Sequence, residues 1–335
     1  MGNWKSLLKG DPVDWLLEEK NPSVRYYTLL DILDIPENNP TVCNAKNKIM
    51  ESGIVPKIMS KQNPEGYWGD PKKFYLTAKY TGTAWTLIVL VSLGAHAEDR
   101  RIRKACEFIL ANSQDRQGGG FAIRSADHGG GDHGAIEPCH TGNMVWCLIK
   151  CGFLDDDRTK HGIDWIVKYQ RFDDGIENPP TGWPYDGWDM CWGNHTCSMG
   201  VVKALKALAE IPPDRRSKAI IDKIGEASEY LLKHHIYKRS HDLAQISRPE
   251  YLQFGFPWLW NIDVIEILDI LTRLGYKDKR MQEAIDLVIS KQDDLGRWKL
   301  ENTWNGRTQS AIEQKDKTSK WVTLHALRIL KRFCS

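Results

Sequence analysis

A phrase of helix, glutamine, turn and aromatic recurs along this chain, and a repeat of this kind fixes an architecture before any single element is assigned. Gln62 closes the helical stretch 58–62 before Gly66-Tyr67-Trp68, and Gln114 closes 110–114 before Gly118-Gly119-Gly120-Phe121. Gln170 ends 166–170, followed by Gly175 and Trp183, and Gln292 ends 288–292 before Gly296-Arg297-Trp298. A degraded copy after Leu231 carries His235 where the glutamine belongs. The anchors at 62, 114, 170, 235 and 292 are 52, 56, 65 and 57 residues apart, a period that holds two helices and two turns. Glycine after each helix lets the chain reverse through the left-handed region without Cβ strain.

Between the phrases lie far more apolar helices, expected over 83–93, 141–151, 196–208, 260–274 and 319–333. An earlier one spans 23–33, with Ser23 as its N-cap after Pro22. Strand signals are nearly absent. Amphipathic helices alternating with nearly all-apolar ones imply two layers, the apolar set sheltered by the amphipathic set. A solenoid calls for shorter repeats and polar end caps. A closed ring of helical hairpins therefore fits better, with 41–335 as the ring and 1–40 as a helical segment packed on it.

Charge and composition exclude several classes of function. Lys plus Arg (46) against Asp plus Glu (44) leaves +2, no footprint for nucleic acid or an anionic membrane surface. The longest apolar run, 85–93, is too short to span a bilayer, and the N-terminus has no signal-peptide pattern, so a cytoplasmic protein without a transmembrane segment is expected. Met1-Gly2-Asn3-Trp4-Lys5-Ser6 fits the loose N-myristoylation pattern, which short chance matches also fit. Eight cysteines in a long chain without an export signal read as thiols or ligands, not disulfides.

The Gln-turn-aromatic phrases resemble the QW motifs of squalene and oxidosqualene cyclases. From about Pro22 onward, the whole pattern resembles the α/α toroid that those cyclases share with protein prenyltransferase β subunits. Asn21-Pro22-Ser23-Val24-Arg25 and Ser319-Lys320-Trp321-Val322-Thr323-Leu324 also resemble single-domain bacterial prenyltransferase-like proteins. The resemblance implies an all-α fold in which the apolar helices form an inner barrel whose N-terminal ends face a common cavity. Chemistry does not follow from fold.

Two of those inner-helix starts are polar. One is His128-Gly129-Gly130-Gly131-Asp132-His133-Gly134-Ala135-Ile136-Glu137-Pro138-Cys139-His140-Thr141, whose glycine-rich part reads as a lid or a solvated loop; the other runs from Trp183 through Asp186, Trp188, Asp189, Cys191, Trp192 and His195 to Cys197. Cys139 and His195 are 56 residues apart, one repeat, which places them in one cavity. Thiolate, imidazole and carboxylate suit tetrahedral zinc. Glu137-Pro138-Cys139 resembles the Asp-x-Cys of prenyltransferase β subunits and His195-Thr196 their His-Thr, which implies a zinc site with Cys139 and His195; Cys191 is an added candidate ligand. Glu stands where that family has Asp, and no basic cluster for a diphosphate is evident. The plainer reading makes the cysteines small buried hydrophobes and His195 a cap.

Set on the Asp-x-Asp-Asp-Thr-Ala motif of cyclases, Glu137-Pro138-Cys139-His140-Thr141-Gly142 puts Cys139 at the acid position. A thiol is too weak an acid to protonate an alkene, so Glu137, with His140 and Asp189, is the expected catalytic set. Asp155-Asp156-Asp157 and Asp173-Asp174 read as solvated caps. A carbohydrate enzyme is the alternative from another class, with Glu137 facing Asp186 or Asp189. Trp (14) outnumbers Tyr (11) and Phe (8), but most Trp residues fall in the helix-turn phrases or on apolar helices, a packing pattern. Phe256, Trp258 and Trp260, before an inner helix, with Trp188 and Trp192, are the expected substrate contacts. The expectation is an enzyme acting on an isoprenoid or other hydrophobic substrate in a central cavity, with a non-catalytic hydrophobic-ligand binder as the other class. A homodimer and transient membrane association are left open.

Overall fold

The computed structural model describes residues 4–76 and 79–334, the Asp189 side chain excepted; the start of the lipidation pattern, Met1-Gly2-Asn3, lies outside them. Eleven main helices follow in chain order. They are α1 Pro22–Tyr27, continued by a π-helical turn Thr28–Ile32, α2 Pro40–Glu51, α3 Thr83–Ser92 and α4 Arg100–Asn112. Then come α5 Pro138–Lys150, α6 Asp157–Tyr169, α7 Ser198–Glu210 and α8 Lys218–Lys233. Last are α9 Val264–Arg273, α10 Gln282–Ser290 and α11 Lys320–Cys334. Two short antiparallel ribbons pair Lys238–Arg239 with Asp242–Ile246 and Trp298–Lys299 with Thr318–Ser319.

The odd-numbered helices are the inner layer. On α3 every residue from Thr83 to Val91 is buried, whereas α4 buries only Ile102, Ala105, Cys106, Ile109 and Leu110, the i, i+3, i+4, i+7, i+8 stripe of a helix wet on its other face. Inner helices pack α3 on α5, α5 on α7, α7 on α9, α9 on α11 and α11 on α1. Gly94, just after α3, lies against the Tyr27 ring of α1 and closes the circle. The segment expected to lie on the toroid thus supplies one of its inner helices, because Pro22–Tyr27 carries an apolar face of Val24 and Tyr26 and pairs with α2.

The recurring glutamines tie one repeat to the next. Gln62 Nε2 donates to Gly66 O in its own turn and to Arg101 O at the start of the next outer helix; Gln114 Nε2 does the same to Gly119 O and Arg158 O. At the seam, Gln292 Nε2 donates to Leu7 O and its Oε1 accepts from Lys9 N, so the N-terminal segment that follows the 3-10 turn Trp4–Leu7 takes the place of the next outer helix. Gln170 breaks the pattern, donating to Arg171 O. The phrase-final aromatics are anchored too: the backbone N–H groups of Trp68, Phe121 and Trp298 donate to Thr83, Thr141 and Thr323, each in the first or second turn of an inner helix.

Helix 260–274 was expected four residues longer at its start. Asp263 caps α9, accepting from Glu266 N, and its other oxygen holds Gly255 N and Trp258 Nε1. The preceding stretch 254–263 thereby becomes a loop that crosses the centre of the ring. Asn143 Nδ2 on α5 donates to Leu259 O at 2.9 Å, and Lys203 Nζ on α7 donates to Asn261 O at 2.9 Å. Leu259 is wholly buried. No helix among the described residues is long and apolar enough to cross a membrane.

Candidate active site at the inner-helix starts

Glu137 is the residue before α5, and Pro138 at the first helical position turns the chain inward there. Its Oε2 accepts from the Tyr75 hydroxyl at 2.7 Å and stands 3.9 Å from the Cys139 thiol. Burial raises the Glu137 carboxyl above the ordinary range, and these two hydrogen bonds only partly offset the shift. The acid therefore holds its proton at higher pH than a surface glutamate.

Aromatic rings continue from Tyr75. Its ring lies 4.4 Å from that of Trp85, Trp85 lies 5.2 Å from Tyr80, and Tyr80 meets Trp304 at 4.7 Å. Trp304 lies 5.8 Å from Trp260, whose Nε1 donates to the Tyr80 hydroxyl. Tyr80, Trp260 and Trp304 are half-buried. Five rings thus form a wall running from Tyr75 to Trp260, with the Glu137 carboxyl at one end.

The three predicted zinc ligands are not brought together. His195 is exposed, and its Nδ1 pairs with Asp174 at 2.9 Å. Burial pushes the Asp174 carboxyl up, but hydrogen bonds from Ser240 and His195 hold it down at about 2. Cys191 turns to Cys197, its S–H donating to that sulfur, which raises the Cys191 thiol and lowers Cys197; the backbone N–H groups of Met199 and Gly200 at the start of α7 also favour the Cys197 thiolate. Cys139 stays with Glu137, its thiol raised by burial. Among the described residues, no group of three or more His, Cys, Asp or Glu side chains is arranged to hold a metal ion. The donor set does not fit zinc, and no chemical step runs through one.

His140 does not join Glu137 as a catalytic partner. Its ring is buried against Tyr75 and Phe121, Nε2 pairs with Ser113 Oγ at 3.0 Å, and burial lowers it to about 3, so it is a neutral core residue. The Asp189 side chain lies outside the described residues. Trp192, 2% exposed and packed on Trp165 and Tyr185, is core, while Trp188 is half-buried. Phe256 and Trp258 face the other side of the crossing loop from Trp260: Phe256 stacks on Trp321 at 4.2 Å, and Trp258 meets His325 at 4.6 Å. The glycine-rich loop is pinned, since His133 pairs with Asp115 at 2.9 Å and stacks on Trp183 at 4.3 Å. Asp156 is a helix cap, accepting from Arg158 N.

No family model matches the chain, and no curated protein does. Among solved structures, an unsaturated glucuronyl hydrolase specific for heparin superposes with a TM-score of 0.50 at 12% identity, covering 94% of this chain and 85% of that one. A type II terpene cyclase from Scytonema, in complex with geranylgeranyl dihydroxybenzoate, gives a TM-score of 0.42 at 16% identity, covering 94% of this chain and 87% of that one. The GH76 α-mannanase of Bacteroides thetaiotaomicron gives 0.46 at 12%, covering 94% and 85%. The fold is an α/α toroid. At such identities the likeness reaches the fold and stops there.

Within the toroid, the functional groups that sequence reasoning missed are Tyr75, Tyr80 and Trp304 on the aromatic wall and a wholly buried ion pair, Lys203 Nζ to Glu266 Oε2 at 2.7 Å. A signal for the pair was available. Lys203, Lys206 and Glu266 are charges inside otherwise apolar inner helices, and charges in such places are almost never buried unpaired. The aromatic wall had no such signal, because Tyr75, Tyr80 and Trp304 come from irregular segments outside the repeat phrase.

Proposed function

We propose that this toroid is an enzyme whose reaction centre is the Glu137 mouth, with Glu137 donating a proton to a hydrophobic, isoprenoid-like substrate lying along the aromatic wall. The observation that carries the reading is the Glu137 carboxyl, raised by burial and held by Tyr75 at 2.7 Å at the head of that row of rings. A carboxyl raised by burial keeps its proton to higher pH than a surface glutamate and is the better proton donor for it, and aromatic faces stabilise positive charge that develops on a substrate carbon after protonation. The Tyr75 hydroxyl would hold the carboxylate left behind. The substrate lies along the mouth, not deep in the ring, because the crossing loop fills the centre and the cavity beyond it, of about 200 Å³, is below the roughly 300–1,000 Å³ of ordinary ligand pockets.

A two-carboxylate glycosidase has less support. Among the described residues, the groups acting on Glu137 are the Tyr75 hydroxyl and the Cys139 thiol, with no second carboxylate, and Asp186 accepts from its own turn at Gly182 N. The test is incubation of the purified protein with prenyl diphosphates, squalene and oligosaccharides, alongside Glu137→Gln. Turnover of a prenyl compound that falls about a hundredfold or more in the variant, the lower range of a general acid's contribution, supports the reading. Turnover of oligosaccharides alone, or a variant of full activity, overturns it.

A further inference from the structure

The cavity on the far side of the crossing loop is lined by all six inner helices near their C-terminal ends, with Phe256 and Trp258 of the loop as part of its wall. Its charges are paired unevenly. Asp31 holds Arg328 at 2.8 Å and Asp269 holds Arg332 at 2.8 Å, one cation for each carboxylate. Glu210 is shared by Lys150 at 3.1 Å and Arg273 at 2.5 Å, and Glu266 by Lys206 at 3.2 Å and Lys203 at 2.7 Å. Among the described residues, five cations and four carboxylates line the cavity, and one of those carboxylates, Glu266, is also held from behind by Lys203. His325, also on the wall with the Tyr27 hydroxyl, is lowered by burial, despite Asp269 beside it.

Positive charge in excess beside a low-dielectric void is costly, and a bound anion removes that cost. Helix C-termini also favour cations, but weakly, and the effect fades within the last turn. Lys206 stands a full turn before the end of α7 and is 8% exposed. Its ammonium sits 3.8 Å from the centre of the Trp146 ring and 6.0 Å from that of Trp258, so charge and flat apolar surface adjoin. The opening is at Lys150, Arg273 and Arg332, each about a third exposed. A volume of about 200 Å³ equals that of roughly seven waters at about 30 Å³ each, room for a small ring with one anionic group.

We propose that this cavity is a second ligand site, distinct from the Glu137 mouth, and that it binds a compact organic dianion, a phosphate monoester of a small flat group. Lys150 and Lys206 neutralise the two charges, the guanidinium groups of Arg273 and Arg332 present planar donors to the phosphoryl oxygens, and Trp146, Trp258 and Phe256 cover the ring. The site does not depend on the reading of the mouth.

The experiment is calorimetric titration of the full chain with phenyl phosphate, inorganic phosphate, phthalate and phenol at neutral pH and low salt. Phenyl phosphate is expected to bind with one-to-one stoichiometry, at least about tenfold more tightly than either phosphate or phenol, and to raise Tm. Lys150→Gln and Lys206→Met each weaken it about tenfold or more. Both variants leave every carboxylate paired, Glu210 with Arg273 and Glu266 with Lys203, so each folds with Tm unchanged or raised in the absence of anion. Absence of saturable binding in the millimolar range, or equal affinity in wild type and both variants, overturns the site. Tighter binding of phthalate than of phenyl phosphate overturns the phosphoryl assignment.

Discussion

Gly142 on α5 faces the backbone of Lys203 on α7 so closely that a methyl group on it would lie 2.4 Å from the Lys203 carbonyl carbon and 2.6 Å from its oxygen. This close approach of the two inner helices sets where the Lys203 ammonium can reach, namely Glu266 on α9 and Asn261 O on the crossing loop. One small residue thus positions a buried charge and, through it, the loop that divides the ring.

Gly142→Ala is therefore expected to destabilise the protein by about 3 kcal/mol, at the upper end of overpacking costs, because the obstacle is backbone and cannot swing aside. Gly225 on α8 is the control. A methyl group there meets nothing within 4 Å, so Gly225→Ala should gain about 0.5–1 kcal/mol from helix propensity alone. Urea unfolding of both variants decides the matter. Equal effects of the two changes would mean that the α5–α7 approach is not a constraint.

The inter-repeat glutamines give a graded prediction. Gln114→Ala strands two carbonyl partners, Gly119 O and Arg158 O, and should cost about 2 kcal/mol; Gln62→Ala, more exposed, should cost about 1. Gln170 donates only to its neighbour Arg171, and its Oε1 is buried without a hydrogen-bond partner, so Gln170→Ala should cost least. If Gln170→Ala were the worst of the three in denaturant unfolding, the bonds described would not be what the repeat conserves energetically.

The pattern of helices was legible because inner helices such as α3 are apolar nearly all round and outer ones such as α4 are striped, a difference that survives in any single sequence. The expected starts at 83, 141, 196 and 319 fall within three residues of the observed ones. The start at 260 failed because Asp263, not an upstream residue, supplies the cap, and its second oxygen folds the loop back through Trp258. Site residues were harder. Equal spacing of Cys139 and His195 along the repeat placed them at neighbouring helix starts, but spacing says nothing about side-chain direction, and Asp174 draws His195 outward. Glu137 stands half-buried before α5, its carboxyl held by Tyr75. The aromatic wall beside it comes from segments with no periodicity to read.

Tyr75 donates to the Glu137 carboxylate, which favours the charged form, and its removal should raise the acid further. A net bond of about 1 kcal/mol corresponds to somewhat under one pH unit, at about 1.4 kcal/mol per unit. In Tyr75→Phe, the Glu137 midpoint should accordingly move upward by about that amount, as read by titration of isotope-labelled glutamate, and the alkaline limb of any Glu137-dependent rate should move with it. A midpoint shift downward would contradict the assigned direction of the hydrogen bond.

His140 supplies an acid-stability test that needs no substrate. Buried against Tyr75 and Phe121 with Ser113 on Nε2, its imidazole is lowered from the ordinary 6.5 to about 3 in the folded chain. Above pH 6.5 neither the folded nor the unfolded state is protonated at this position, so its contribution to stability is fully present. As pH falls from about 6.5 toward 3, the unfolded chain takes up a proton that the folded chain refuses, and stability is lost at up to about 1.4 kcal/mol per pH unit. Carboxylates titrate over the same range, so the informative quantity is the difference between wild type and His140→Gln, in which the amide can still meet the Ser113 hydroxyl. The wild type should lose stability more steeply than the variant between pH 6 and 4, with parallel curves above pH 7. Parallel curves throughout would show that His140 is protonated in the folded protein, and hence that water or an acidic partner reaches a ring that the packing encloses.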